Sequence, residues 1–578
     1  MPELPLSDNL NLLWSSLIVT ELIKNGLDTF FISPGNRNAP LISALAYEER
    51  AIKKGCLDER AAAYRALGHA KATGRPGVVV CTSGTAPANY FPAVIEAFRE
   101  DIPLVVLSAD RPPELVGSDA NQTIIQEGLY GMYCRKVLHL PAPSVDYPLE
   151  ALLAKIDYIV SAPQGPVHIN CPFRDPLTPG ITACRPLPED ALTVAKYHYT
   201  HQGPYTVYPP QAIHLANLGN AADILRKTKR GLAIVGRLES PDDAPALEKL
   251  LHALGWPIFC DIASGMKGRV PPDRQIFTFD HPEALRLVRE YNPDTILQFG
   301  SGLVSKQYEG AILPQSEAVM IQVSPRWGLR DPAHRVRIRI TASARDFAAA
   351  LDLQEPLSVD GDAHTRLLMQ MAAIHDSVRE KIPADRWSFP GIASAVLGCV
   401  PDGEGLFIGN SLAIRAFDGV CCPYPKRLFI ISNRGVSGIE GHLATSVGFA
   451  EASGLRVTAV VGDISLLHDL NSLIMVSGSL VPVVIVVVNN GGGRIFERLP
   501  IRDFPEIMEP WMTTPHTMDF KHVAAQFDLP YIRVNKPDEL MPAYKEALDA
   551  GRSAMVEIVL SPEDDLWTFR AMQAVRLG

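Results

Sequence analysis

The sequence predicts an α/β protein of three domains, each a doubly wound parallel sheet. Three observations carry that prediction. Short runs rich in Val, Ile and Leu recur along the chain, each followed by a glycine-rich turn and a stretch of helical length. The runs are continuously apolar instead of alternating, as strands covered on both faces must be. Two stretches without clear period, Pro172–Pro210 and Leu353–Ala363, divide the 578 residues into pieces of domain size.

In order, TFFISPG (29–35), GVVVCTSG (77–84), IPLVVLSAD (102–110) and GPVHINC (165–171) are strands of a first domain, placed at 1–185. GLAIVG (231–236), TILQFGSG (295–302) and AVMIQVS (318–324) belong to a second, at 212–352. GLFIGNS (405–411), RLFIISN (427–433), VTAVVGD (457–463) and VPVVIVVVNN (481–490) belong to a third, at 364–578. The first and third share a local design of strand, turn, helix, proline and strand. Gly84 to Pro103 and Asp463 to Pro482 both span 19 positions, a length common to βαβ units.

Charge and composition narrow the function. With 54 basic and 64 acidic residues the net charge is -10, and no like-charge block stands out, so nucleic acid is not an expected partner. Nine cysteines, an odd number with no C-x-x-C pair, read as reduced thiols in a cytoplasmic setting. The N-terminal stretch has no basic segment before an apolar run and is not read as a signal peptide. Val481–Val488, the longest apolar run, is far short of the ~20 residues of a membrane helix. No G-x-G-x-x-G follows a strand, which disfavours a nicotinamide dehydrogenase, and neither a Walker A motif nor H-E-x-x-H occurs.

Ligands of open α/β sheets bind outside the carboxyl ends of the strands. There the sequence places Gly462-Asp463 and, 27 residues after Asp463, Asn490 within Asn489-Asn490-Gly491-Gly492. One strand–helix–strand unit would put both side-chain oxygens at neighbouring strand ends. Mg²⁺ takes oxygen ligands, commonly one carboxylate with phosphate supplying others. Ile464 and Ser465, opening the next helix, would face a diphosphate. Spacing alone leaves a second reading open, in which Asp463 caps its helix and the Asn-Asn-Gly is a turn.

The segments FISPGNRNAPL, DERAAAYRALGHAKATGRP, TSGTAPANYFPAVIEA, LSADRPPEL, ANQTI, GNSLAIR, SNRGVSGIEG, GDISLLHDLN and VVNNGGGRIF together resemble the thiamine-diphosphate-dependent 2-succinyl-5-enolpyruvyl-6-hydroxy-3-cyclohexene-1-carboxylate synthases of menaquinone biosynthesis, over nearly the full length. The resemblance implies thiamine diphosphate with Mg²⁺ (or Mn²⁺) as cofactors. Glu59 matches the glutamate that hydrogen-bonds the aminopyrimidine ring, and Ile439 the residue that holds the cofactor bent. Ser411 matches a serine near the thiazolium. Asp463, Asn490 and the Gly492 carbonyl match the metal ligands. Asn36, Arg37, Arg111, Gln122, Lys306, Arg415, Arg434, Ile495 and Phe496 match substrate-side positions. The implied reaction decarboxylates 2-oxoglutarate, adds the succinyl-semialdehyde carbanion to isochorismate, and releases the cyclohexene product and CO₂. Four substrate carboxylates suit several arginine forks. The implied assembly is a homodimer or homotetramer, with Glu59 and the metal site meeting across subunits.

The chain departs from the family pattern in places. Asn36 and Asn38 stand where serines are usual, Gln307 replaces an arginine, Glu440 replaces an aspartate, and His442 is an unusual neighbour. A buried, hydrogen-bonded His442 is expected over a catalytic base. These departures bear on substrate fit, not on cofactor binding. Another thiamine carboligase, acetolactate-synthase-like, is the competing enzyme reading; the arginine set argues against its small neutral acceptors. A binding protein on a degenerate scaffold would have lost Glu59, Asp463 or Asn490, and all three are present.

Overall fold

The computed structural model describes residues 9–161, 164–178, 189–208, 218–300, 302–326, 328–351, 353, 357, 359–420 and 425–577. It contains three six-stranded sheets, and every strand pairing in them is parallel. The first comprises β1 (Thr29–Ile32), β2 (Ile52–Gly55), β3 (Gly77–Cys81), β4 (Leu104–Asp110), β5 (Lys136–His139) and β6 (Pro166–Pro172). The second comprises β7 (Gly231–Val235), β8 (Ile258–Cys260), β9 (Gln275–Ile276), β10 (Thr295–Phe299), β11 (Val319–Val323) and β12 (Val336–Ile340). The third comprises β13 (Gly405–Ile408), β14 (Phe429–Ile431), β15 (Val457–Gly462), β16 (Val483–Asn489), β17 (Tyr531–Val534) and β18 (Ala554–Val559).

The first sheet runs β2-β1-β3-β4-β6-β5 and the third β14-β13-β15-β16-β18-β17, which is the same order of connection. The second runs β12-β11-β10-β7-β8-β9, the other common doubly wound order. Shared topology supports kinship of the first and third sheets far better than the 19-residue spacing does.

The continuous apolar runs are explained by coverage on both faces. In β7, Leu232 and Ile234 point into one core and Ala233 and Val235 into another. Every residue of β3 and β4 is buried. At ~25 cal/mol per Å² of apolar surface, such strands supply much of the favourable free energy of folding.

The chain forms two compact units. One comprises Met1–Gln211, Leu443–Gly454 and Asn471–Gly478. The other comprises Ala212–His442, Leu455–Leu470 and Ser479–Gly578. Within the first unit the helix Glu59–Thr73 crosses the helix His442–Ser453 at a glycine on each: a Cβ on Gly68 would lie 2.1 Å from the Thr445 carbonyl oxygen, and one on Gly448 would lie 1.9 Å from that of Arg65. Arg65 reinforces the crossing with a bidentate pair to Glu451, at 2.6 Å and 3.2 Å.

The stretch without clear period at 172–210 contains a helix, Glu189–Thr200. Its sequence has little amphipathic contrast, so no period announces it. It is held through His198, whose Nδ1 lies 3.2 Å from Glu21, and the following strap bonds Tyr205 N–H to Glu21 at 2.6 Å and Thr206 N–H to Asp157 at 2.6 Å. Of the cysteines, Cys56, Cys81, Cys134, Cys171, Cys260 and Cys399 carry free thiols, while Cys184, Cys421 and Cys422 lie outside the described residues. Among the described residues no helix is long and apolar enough to cross a membrane.

Candidate active site

Strand β15 ends at Gly462 and pairs directly with β16, which ends at Asn489. Asp463 and Asn490 therefore stand at adjacent strand ends. Asp463 is buried, and its Oδ2 accepts the N–H groups of Asn490 and Gly492, both at 3.0 Å. Its Oδ1 accepts the Ile464 N–H at 2.7 Å, so that amide is engaged with the carboxylate. Ser465 is buried one residue further on. Burial pushes the Asp463 carboxyl above the usual carboxylate range, against the backbone donors that pull it down.

The end of the Asn490 carboxamide lies 3.3 Å from Asp463 Oδ2 and 2.9 Å from the Gly492 carbonyl oxygen. With nitrogen at that end, the amide donates to both. With oxygen there, its separations from the other two oxygens are near the ~3 Å edge of a magnesium octahedron with 2.0–2.1 Å bonds. Among the described residues no three His, Cys, Asp or Glu side chains converge on one point. An ion held here would thus have one carboxylate, with amide, carbonyl and ligand oxygens completing its shell.

The loop that presents these groups needs glycine. Gly492 has φ 142°, and a Cβ there would lie 2.5 Å from the Thr513 carbonyl oxygen. The segment around residues 513–518 wraps this loop: Gly493 N–H donates to Thr513 O at 2.7 Å and His516 N–H to Gly491 O at 3.2 Å. It brings His516 Nε2 to 3.2 Å from Asp463 Oδ2. Sequence reasoning missed His516, because no motif links it to Asp463. Beyond the loop, Ile495 packs against the third-domain core, and Phe496 sits beside Gly493; both are partly buried.

The same unit holds Ser411, Arg415, Arg434 and Ile439. Ser411 has a left-handed backbone (φ 68°) and precedes the helix Leu412–Asp418, on which Arg415 lies. Arg415 Nη1 donates to Ser411 O at 2.6 Å. Burial lowers the Arg415 pKa, and the neighbouring charge of Arg434 lowers it further. Arg434 Nη1 donates to Asn410 Oδ1 at 2.9 Å. Asn410, also missed from sequence, donates from Nδ2 to Asn433 O at 2.7 Å and to Gly438 O at 2.6 Å. Ile439 is half-buried, whereas Lys306 and Gln307 are exposed.

The other unit carries Glu59 and a second group of polar residues. Asp58 caps the helix Glu59–Thr73, its carboxylate accepting the Ala61 N–H at 3.1 Å, and Glu59 is the first helical residue. Glu59 lines an open cleft of about 520 Å³ with Leu57, Asp58, Arg60, Asn89 and Asn471. Burial raises its pKa, and the charge of Asp58 adds to the rise. Elsewhere in this unit Arg37 is buried, and its Nη1 donates to Phe173 O at 2.9 Å, while Asn36 before it is exposed. Arg111 Nη1 donates to Ser83 Oγ at 2.5 Å, and Gln122 Nε2 to Ser83 O at 3.0 Å. Gln122 has φ 55°. The Arg111 pKa is lowered by burial and by the charge of Arg37. Asn38 is fully buried and donates to Ser33 O at 3.0 Å, a turn-holding role that accommodates asparagine in place of serine.

Comparison with known proteins agrees with this geometry. Residues 14–129 match the thiamine pyrophosphate enzyme N-terminal TPP binding domain, 193–408 the middle domain of thiamine pyrophosphate enzymes, and 419–558 the C-terminal TPP binding domain. A 2-succinyl-5-enolpyruvyl-6-hydroxy-3-cyclohexene-1-carboxylate synthase from Syntrophus aciditrophicus (strain SB) is 66% identical, over 99% of this chain and 100% of its own. Proteins of the same name from Pelodictyon phaeoclathratiforme and Rubrobacter xylanophilus are 37% and 35% identical, over 98% and 97% of this chain and 95% and 98% of theirs. With a parallel-sheet fold in triplicate, an acid–amide pair at adjacent strand ends and full-length identity of this order, the chain belongs to the 2-succinyl-5-enolpyruvyl-6-hydroxy-3-cyclohexene-1-carboxylate synthase family of thiamine pyrophosphate enzymes.

Proposed function

We propose that the chain is a thiamine-diphosphate-dependent carboligase that decarboxylates 2-oxoglutarate and joins the remaining four-carbon unit to isochorismate. The observation that carries the cofactor half is that the end of the Asn490 side chain lies within 3.3 Å of both Asp463 Oδ2 and the Gly492 carbonyl oxygen. These three would hold Mg²⁺ or Mn²⁺, with Ser465 toward the diphosphate. When bound, the cofactor supplies the electron sink that accepts the pair released as CO₂ leaves.

The protein's own groups do the rest. Glu59, its pKa raised by burial, is the group that would exchange a proton with a ring nitrogen. Ile439 supports the cofactor's bend. Two arginine pairs, Arg37 with Arg111 and Arg415 with Arg434, orient carboxylates, and Gln122 and Lys306 add polar contacts at the rim. Ile495 and Phe496 keep water from the reacting carbon, and Asn36 and Ser411 border the substrate and the thiazolium. Self-association as a dimer or tetramer and a cytoplasmic setting belong to the same proposal.

The test is incubation with thiamine diphosphate, Mg²⁺, 2-oxoglutarate and isochorismate, following CO₂ release and the loss of isochorismate absorbance. Pyruvate is the control donor. Turnover of pyruvate in preference to 2-oxoglutarate would replace this reading with an acetolactate-synthase-like one.

A further inference from the structure

His442 is fully buried, and the steps above do not use it. It opens the helix His442–Ser453, and its ring folds back onto the turn that carries Ile439. Nε2 lies 3.1 Å from the Gly438 carbonyl oxygen. A carbonyl can only accept, so Nε2 carries the proton. Asn410 Nδ2 donates to the same oxygen at 2.6 Å. One carbonyl is therefore held by two buried donors from different elements.

The ring's seat is built for it. It packs on Phe407 of β13, with ring centroids 5.2 Å apart. A Cβ on Gly409 would lie 3.3 Å from His442 Nδ1 and 3.0 Å from the Val460 carbonyl oxygen, so the strand end leaves just the room the imidazole takes. Burial holds the His442 pKa down at about 4, so near neutral pH the ring is uncharged with one fixed N–H. With no exposure, it has no route to a substrate proton.

The Gly438 carbonyl belongs to the turn that carries Ile439. Ser437 (φ 58°) and Gly441 (φ 70°) bracket it with left-handed backbone. Because the peptide unit is planar, pinning the Gly438 carbonyl fixes the plane of the Gly438–Ile439 peptide and narrows where the Ile439 Cα–Cβ bond points. We propose that His442 is a positioning residue: its Nε2–H, together with Asn410, fixes the Gly438–Ile439 peptide and thereby sets the direction in which Ile439 presses on the bound cofactor. This rests on the reading of Ile439 as the residue that holds the cofactor bent, and it gives a role to a residue the family pattern does not explain.

The test uses the full-length protein with thiamine diphosphate and Mg²⁺. Its readouts are the rate of deuterium exchange at the thiazolium C2, cofactor affinity by calorimetry, and melting temperature. His442→Gln places an amide N–H near the Nε2 position; His442→Asn reaches only the Nδ1 position; His442→Leu has no donor. Loss of a buried donor to a positioning carbonyl is expected to slow exchange on the order of ten-fold in the Asn and Leu variants, with cofactor affinity within about three-fold. His442→Gln is expected to stay within about three-fold of wild type on both readouts.

Wild-type exchange in His442→Asn overturns the proposal, and so do equal rates in the Gln and Asn variants. If the Leu variant fails to fold, the Gln/Asn contrast still decides, since both side chains are polar and fit within the volume of the ring. Ile439→Ala run in parallel separates the two levels. Normal exchange in that variant removes the reading of Ile439 itself; slow exchange there with normal exchange in His442→Asn removes only the role of His442.

Discussion

Substituting Gly448 by alanine tests how the helix bearing Glu59 is held. The added Cβ would sit 1.9 Å from the Arg65 carbonyl oxygen, and 2.8 Å from the carbonyl carbon. Real Cβ atoms keep about 3.0 Å or more, so the two helices must part by at least about 1.1 Å, and neither atom in the clash is a side chain that could swing aside. Overpacking of this kind costs about 1–3 kcal/mol of stability. The larger effect is on turnover. Arg65 and Glu59 lie on one rigid helix, and a 1 Å misplacement of a catalytic group costs roughly 100-fold. The expected result is a kcat reduced by about two orders of magnitude with cofactor affinity nearly unchanged, because no diphosphate or metal ligand sits on either helix. Steady-state turnover, calorimetry and thermal unfolding read the three quantities. Gly398→Ala is the control, since a Cβ there meets nothing within 4 Å and helix propensity favours alanine. Turnover within two-fold of wild type in Gly448→Ala, at an unchanged melting temperature, would mean that the crossing does not set the place of Glu59.

Glu59→Gln keeps the shape and removes the transferable proton; cofactor affinity should hold while turnover falls by roughly 10²–10⁴-fold, and wild-type rates would take Glu59 out of the mechanism. Asp463→Ala should weaken Mg²⁺–thiamine diphosphate binding by at least about 100-fold, since even groups behind the metal ligands matter at the 10–100-fold level; unchanged affinity by calorimetry refutes the metal assignment. Glu21 predicts a pH dependence of stability. It is buried against Asp157, Lys24 and His198, and burial followed by its bond to Asp157 raises its pKa from 4.5 to about 8. Between those values the folded chain keeps a proton that the unfolded chain releases. The contribution is therefore complete below pH 4.5 and is lost as the pH climbs to about 8, at up to ~1.4 kcal/mol per pH unit. Denaturant melts across that range should show a flatter profile in Glu21→Gln; an unchanged slope would place the proton elsewhere.

How much of this was legible in the sequence depends on distance along the chain. Strands β3, β4, β15 and β16 could be read because burial on both faces leaves an unbroken apolar run. Asp463 and Asn490 could be paired because consecutive strands of one βαβ unit brought them together. His516 could not, since it arrives on an irregular segment whose bonds, such as Gly493 N–H to Thr513 O, follow no sequence period. The helix Glu189–Thr200 escaped notice for a related reason. Its anchoring depends on His198 meeting Glu21 from a distant helix, which leaves no periodic trace. Asn410 stood in a quoted motif, yet its role lies in three partners at positions 433, 434 and 438 that only the folded turn collects.

The arginines pose the remaining physical question: how a chain of net charge -10 would draw in substrates carrying four carboxylates. The answer lies in local placement. Arg111 is perturbed by Arg37, and Arg415 by Arg434; in each case burial and a like charge oppose the charged form. Several of their hydrogen bonds go to neutral groups: Phe173 O for Arg37, Ser83 and Asn121 O for Arg111, Ser411 O for Arg415 and Asn410 for Arg434. Asp175, the ion-pair partner of Arg37, lies 3.7 Å away and is mostly exposed, and the buried Arg37 Nε has no hydrogen-bond partner. Like charge within each pair opposes the charged form, while Asp175 and Asp110 near Arg111 and Asp280 near Arg415 offset part of that repulsion. On the proposed reading, a carboxylate that entered would relieve that repulsion and form charge-assisted bonds in one step. Each pair would thus favour an entering carboxylate through a local field that salt screens little where it is buried and that the overall charge of the chain does not cancel.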